Sequence, residues 1–223
     1  MTTNEKIQKL RQSMKANGVY AYLIPSSDPH MSEYLPDHWT TRAYFSGFDG
    51  SAGTLVVTED KSGLWTDGRY FLQAGQQLAG SEVQLYKMGM PGVPTVSEFL
   101  EQELVGGKVL GIDGTVTATS TVRELQAHGV SVKAVDCTSE NWEGRPAIPA
   151  TEVYVHEVKY TGLTAAQKLV QLKEKLQGAG ANTMVITRLD SIAWLLNLRA
   201  NDIAYNPFLL SYVLVEPEKT TLF

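Results

Sequence analysis

Arg69 stands in the segment Trp65-Thr66-Asp67-Gly68-Arg69-Tyr70-Phe71, just after a short apolar run and an Asp-Gly pair. A guanidinium in that place can grip a peptide carbonyl or a carboxylate through a fixed fork of N–H donors. A second segment, Ser46-Gly47-Phe48-Asp49-Gly50-Ser51-Ala52-Gly53, sets three glycines around Phe48 and Asp49. Such a loop suits a backbone that must approach another group closely. Arg69, Tyr70, Phe48 and Asp49 are therefore the candidate substrate-binding side chains. The competing reading is structural: two connecting turns, with Arg69 paired to Asp67 or Asp49 and Gly68 supplying a positive φ in a tight turn. Both roles stand open on sequence alone.

Residues for bond-making chemistry are sparse. Catalytic metal clusters bring several histidines and carboxylates together at set spacings. Here the four histidines, His30, His38, His128 and His156, are scattered, with no H-x-x-x-H or H-E-x-x-H pair. Asp28-Pro29-His30 with Glu33 comes nearest, and its spacing reads better as a polar loop than as a ligand set. Neither a G-x-S-x-G elbow nor a Walker loop is present, and no G-x-G-x-x-G follows a strand. Cys137 lies in Asp136-Cys137-Thr138 without an adjacent base to lower its pKa, so it reads as an inert thiol.

The elements that must carry these residues alternate between helix and strand. Ile7, Leu10 and Met14 fall at helical spacing after Asn4, the expected N-cap, and Gly18 closes that helix. Strands are expected over 19–24, 54–58, 63–66, 82–87, 108–113 and 130–135, with a hairpin turn at 59–62. Helices are expected over 69–78, from Thr95 with Glu98 as a capping box to Leu104, and from a second box of Thr121 with Glu124 to Gly129. That order indicates an α/β layer structure with a mixed central sheet and flanking helices. Arg145-Pro146-Ala147-Ile148-Pro149 is a proline-bearing connector. We place one domain at 1–151 and the start of a second, incomplete one at 160–223.

The second stretch reads as a copy of the first. Thr164 with Gln167 caps a helix bearing Leu169, Leu172 and Leu176. At an offset of 162, Ile7, Leu10, Met14, Gly18, Ile24 and Asp28 meet Leu169, Leu172, Leu176, Gly180, Ile186 and Asp190. At an offset of 158, residues 54–65 meet 212–223, with Lys61 on Lys219 and Trp65 on Phe223. Aligned glycines and a turn lysine favour duplication over shared apolar periodicity. Such a copy would stop before its own turn and following helix, leaving Trp194, Phe208 and Phe223 short of partners.

The 223 residues are 43% hydrophobic with a net charge of −5, enough to bury a core and unlike the basic stripe of nucleic-acid binders. One cysteine excludes an internal disulfide and fits a reducing compartment. The first residues lack a signal-peptide pattern, and no apolar run approaches the ~20 residues that span a bilayer. The expectation is a cytoplasmic protein without nucleic-acid or membrane partners.

SGFDGSAG at 46–53, WTDGRYF at 65–71 and LDSIAWLLNLR at 189–199 with Asn206-Pro207 occur in this order. Together they resemble the amino-terminal half of the three-domain Xaa-Pro aminopeptidases, the aminopeptidase P enzymes of the creatinase/prolidase superfamily. The resemblance implies metal-dependent removal of an N-terminal residue that precedes proline, and commonly a homodimer. It also implies that two divalent metals, manganese by expectation, are held by two Asp, one His and two Glu in a carboxy-terminal "pita-bread" domain. Those ligands would lie beyond Phe223, so no cofactor is expected within these residues. Two functions remain open: a non-catalytic part that shapes substrate access and dimerisation of such an enzyme, or a stand-alone peptide-binding or protein-interaction module.

Overall fold

The computed structural model describes residues 1–223 and divides them into two compact units, Met1–Pro146 and Ala147–Phe223. In the first, α1 (Thr3–Ala16) leads into β1 (Ala21–Pro25), α2 (Thr41–Ser46) and the hairpin β2 (Thr54–Thr58) and β3 (Ser62–Thr66). Next come α3 (Phe71–Gln77), β4 (Gln84–Lys87), α4 (Val96–Glu103), β5 (Val109–Ile112), α5 (Thr119–Ala127) and β6 (Ser131–Ala134). The six strands order as β4-β3-β2-β1-β5-β6. The β1–β2 and β2–β3 pairs are antiparallel, and β3–β4, β1–β5 and β5–β6 are parallel. The mixed sheet with helices on its faces is the architecture the alternating pattern predicts.

Alternation along β1 feeds two cores. Tyr22 and Ile24 join Ile7, Leu10, Met14, Phe45 and Leu55 on one face. Ala21 and Leu23 join Val56, Trp65, Phe99, Leu110 and Leu125 on the other. Because successive strand side chains point to opposite faces, a strand covered on both sides must be apolar throughout, as β1 is.

Three local expectations are corrected. Thr2, not Asn4, caps α1: its hydroxyl accepts from Glu5 N while Glu5 accepts from Thr2 N, and Asn4 Oδ1 instead accepts from Glu82 N at 2.9 Å. Thr121 and Glu124 form no capping box, because α5 starts at Thr119 after an Ala118 N-cap. Glu124 instead accepts from Ser97 Oγ at 3.2 Å. Gly68 is not among the positive-φ glycines; it opens a 3-10 turn, Gly68–Tyr70, capped by Asp67. The reason is topological. β3 and β4 are parallel, so the chain must cross over through a helix, and a hairpin turn at Asp67-Gly68 has no strand to return to.

The second unit contains β7 (Tyr154–Val155), α6 (Val158–Thr161), α7 (Ala165–Gly178), β8 (Met184–Ile186), α8 (Leu189–Leu196), β9 (Leu198–Arg199), β10 (Val213–Val215) and β11 (Thr220–Leu222). Its start differs from the expected bounds at 151 and 160, because the proline-bearing connector is tied into it. Thr151 donates twice to Asp202 Oδ1, at 2.9 and 2.7 Å, and β7 pairs with β9. Thr164 and Gln167 cap α7 reciprocally, as their spacing predicts.

The repeat holds at the level of register. Ile24 pairs with Leu55 and Leu55 with Leu64; at the offsets of 162 and 158, Ile186 pairs with Val213 and Val213 with Leu222. The turn closes alike, Thr58 N donating to Lys61 O at 2.8 Å and Glu216 N to Lys219 O at 2.9 Å. A one-residue slip would turn every side chain over, so this coincidence is specific. One pairing fails. Asp190 lies in the first turn of α8, whereas Asp28 precedes α2 in a loop, because the connection before α8 is shorter. The helices instead match at an offset of 150. There Tyr44 meets Trp194 and Phe45 meets Leu195, and the left-handed C-caps Gly47 and Asn197 coincide. No helix is long and apolar enough to cross a membrane.

Candidate functional site

Arg42 organises the glycine loop, and the sequence reading missed it. The inward face of α2 buries Arg42, Phe45 and Ser46, the i, i+3, i+4 spacing that marks a helix stripe. Inside, Arg42 Nε donates to Ser26 Oγ at 2.8 Å and Nη1 to Phe48 O at 2.6 Å, while Nη2 donates to Gly50 O. Its guanidinium lies 4.8 Å from the centroid of the Phe48 ring. Burial pushes the Arg42 pKa down to about 10, with Asp49 and Tyr70 opposing, so the side chain stays charged at neutral pH. A buried cation satisfied by carbonyls fixes those carbonyls in place. That fixes the loop.

The glycines follow from this geometry. Gly47 ends α2 with φ of 76°, a left-handed cap that favours glycine. A Cβ on Gly50 would lie 2.3 Å from Phe48 Cζ and 2.8 Å from Tyr70 Cδ1. The close approach expected of this loop is therefore to two aromatic rings of the same unit. Phe48 is fully buried and offers no side-chain surface to a ligand; it supports the loop from below. Tyr70 meets its edge at 5.8 Å and shares a 2.7 Å hydrogen bond with Ser51.

Asp49 is exposed at the loop tip. It accepts from Gln73 Nε2 and Gln77 Nε2, both at 2.7 Å, two side chains one turn apart on α3. Arg69 does not reach Asp49. Its partner is Asp67, which accepts from Arg69 Nε and Nη2, each at 2.9 Å, and from Arg69 N at 3.0 Å. The fold thus gathers Phe48, Asp49, Tyr70 and Arg69 around one loop and one turn, with Arg42, Ser51, Gln73 and Gln77 as the supports. It presents exposed N–H donors and carboxylates beside an aromatic hydroxyl.

The Asp67 carboxyl is held down to about 2 by the Arg69 guanidinium and N–H. A depressed folded-state pKa contributes stability above the unfolded value of about 3.9, and that contribution is lost as pH falls toward 2. We expect a carbon-detected NMR titration to place the Asp67 midpoint near its folded value of about 2. In Arg69→Ala it should return toward about 3.9; an unmoved midpoint would contradict the pairing.

No group of three or more His, Cys, Asp or Glu side chains is placed to hold a metal. The Asp28 carboxylate closes its own loop, accepting from His30 N and Ser32 N at 2.9 Å each. Cys137 is buried and its thiol pKa is raised by that burial, so it is a poor nucleophile.

Two family models of the creatinase/prolidase N-terminal domain match in succession, over residues 6–146 and 144–223. Aminopeptidase P2 of Arabidopsis thaliana is 41% identical over 100% of this chain and 33% of its own length. A probable Xaa-Pro aminopeptidase P of Sordaria macrospora is 43% identical over 100% of this chain and 38% of its own. An X-prolyl aminopeptidase from Caenorhabditis elegans, described as a cytosolic enzyme with a di-nuclear active site, superposes with a TM-score of 0.92 at 38% identity. That match covers 100% of this chain and 39% of the other. The chain spans about a third of the length of these relatives. With its duplicated hairpin register and both domain models matched in order, it belongs to the creatinase/prolidase N-terminal family and matches the N-terminal part of Xaa-Pro aminopeptidases.

Proposed function

We propose that this chain is the non-catalytic amino-terminal part of a metal-dependent Xaa-Pro aminopeptidase, and that it shapes substrate access and dimerisation. What carries the reading is the match of every residue here to one third of enzymes named for that activity. The substrates are peptides with proline at the second position. Two divalent metals, manganese by preference, would be held by ligands outside these residues, and the compartment is the cytosol. An exopeptidase must admit a free N-terminus and exclude folded chains, and a rigid domain beside the cleft does so sterically. Arg69, Asp49 and Tyr70 are the rim groups we assign to the peptide, with Phe48 and Arg42 holding them in position.

The test is made in the longer protein with manganese added. It should release the first residue from a short Xaa-Pro peptide, and residues 1–223 alone should release none. Arg69→Ala should lower kcat/KM about tenfold or more while leaving the unfolding midpoint almost unmoved, because an exposed side chain in a turn contributes little to stability. Arg69→Lys should not restore the rate, since an ammonium cannot reproduce the fork. Parallel losses of melting temperature and turnover would reduce Arg69 to a structural partner of Asp67. An open reading frame closing at residue 223 would favour a stand-alone binding module.

A further inference from the structure

Four bonds of the chain join asparagine or aspartate to glycine: Asn17-Gly18, Asp49-Gly50, Asp67-Gly68 and Asp113-Gly114. Such pairs share one uncatalysed reaction, because glycine has no Cβ to shield its amide nitrogen. At an Asp-Gly bond the glycine nitrogen attacks the aspartate Cγ. A C–N bond forms, a carboxyl C–O bond breaks, and the hydroxyl leaves as water with the amide proton. Water then opens the succinimide ring at either carbonyl. One product is aspartate again; the other is isoaspartate, whose backbone runs through Cγ and is one methylene longer. A protonated carboxyl reacts in this way, whereas a carboxylate has no hydroxyl to lose.

The fold treats these bonds differently. Asn17 Nδ2 donates to Ser13 O at 2.9 Å, and the attacking nitrogen, Gly18 N, is itself engaged on Lys15 O at 3.1 Å. Asp49-Gly50 has no room to lengthen. Gly50 is buried, its carbonyl accepts from Arg42, and the Phe48 and Tyr70 rings crowd the place of its Cβ. Asp113 Oδ1 accepts from Thr115 N at 2.8 Å and Thr115 Oγ1 at 2.6 Å, two neutral donors on one oxygen. Asp67-Gly68 has space. Gly68 is exposed, and the nearest atom to its Cβ position is Phe71 Cε2 at 3.9 Å. Of the three aspartates, only Asp67 carries a cation on both carboxyl oxygens. Arg69 Nε donates to its Oδ1 and Nη2 to its Oδ2, each at 2.9 Å, with Arg69 N adding a third bond at 3.0 Å.

We propose that Asp67-Gly68 is a latent isoaspartate-forming site and that the Arg69 fork is its guard, engaging both carboxyl oxygens so that neither leaves as water. A bidentate guanidinium bond to a carboxylate is among the stronger hydrogen-bonded pairs, and it favours the ionised form. The Asp67 carboxyl is accordingly held below the ordinary aspartate range, at about 2, by hydrogen bonds from Arg69. Its protonated, reactive fraction at neutral pH shrinks in proportion. Besides Asp67, the charges and ionisable groups facing Arg69 are Tyr70 and Glu33, and both favour its cationic form. The site is one where the product has a consequence. An extra methylene between β3 and the Gly68–Tyr70 turn displaces Arg69 and Tyr70 from the positions they hold beside the glycine loop. The reaction itself does not depend on what that site binds.

The test ages the full-length protein at mildly acidic pH, native and in urea, and digests it with trypsin. Cleavage after lysine and arginine puts the three Asp-Gly bonds in separate peptides, 43–61, 62–69 and 109–123, and electron-transfer fragmentation reads isoaspartate in each. In the native protein Asp67 should isomerise about tenfold or more slowly than in urea, as a pKa lowered by a unit or more implies. It should also be slower than native Asp113. Arg69→Ala should raise the native Asp67 rate by about tenfold, read in the peptide 62–87, while Asp113 keeps its rate and Asp49 stays silent. Native Asp67 reacting at the urea rate would overturn the inference, and so would an Asp67 rate that Arg69→Ala leaves unchanged. Isoaspartate at Asp49 in that variant would overturn it as well, because the glycine loop would then have opened and Arg69 would be a structural prop rather than a guard.

Discussion

Replacing Arg42 with alanine should destabilise the first unit by on the order of 3–5 kcal/mol, because each buried acceptor left unsatisfied costs about 1–3 kcal/mol. The exchange strips donors from Phe48 O, Gly50 O and Ser26 Oγ together and takes the guanidinium from the Phe48 ring. Water cannot easily replace them, since the side chain and Phe48 are both buried. Arg42→Lys restores charge but not the fork, and should recover less than half of the loss. Urea denaturation measures both. If the loop is held as described, the Arg42 variants also free Asp49 and Tyr70, so loop amides should exchange faster than those of β2. A loss below about 1 kcal/mol would show that the loop is held by its backbone alone. Arg69, adjacent in sequence to the Tyr70 that contacts this loop but itself exposed, should behave oppositely, with a large effect on peptide turnover and little on folding.

The second large effect separates the two halves of the repeat. Trp65→Ala should cost about 3–5 kcal/mol, the range for emptying a large aromatic site in a core. Trp65 has no exposed surface, stacks on Tyr86 at 4.0 Å and donates from Nε1 to Pro94 O at 2.8 Å. Phe99 of α4 packs against both rings, 5.0 Å from Trp65 and 5.7 Å from Tyr86. Phe223 occupies the same position in the second copy and is 68% exposed. In residues 1–223 taken by themselves, Phe223→Ala should change stability by no more than about 0.5 kcal/mol. Equal costs at the two positions would mean that Phe223 is buried in solution, and the difference between the halves would vanish.

Residue types and spacing by themselves determined the layer class, most strand and helix positions, two capping boxes and the duplication. These are local or periodic properties. A buried face repeats every second residue in a strand and every third or fourth in a helix, and a capping box is closed within four residues. The offsets of 162 and 158 survived into paired register because a strand with one buried face cannot slip. Only the tertiary structure decided the rest. Asp67-Gly68 carries a strong turn signal, yet the parallel placement of β4 beside β3 turns it into a helix start. Phe48 looked like a ligand contact from its glycine-rich setting; the glycines exist so that Phe48 and Tyr70 can pack on the loop backbone. Arg42 gave no local signal at all; it gains its role only because α2 packs against β1 and the loop folds over it. In each case the deciding partner lies elsewhere in the chain, Ser26 for Arg42 and Tyr70 for Gly50, and no local pattern encodes a contact of that kind.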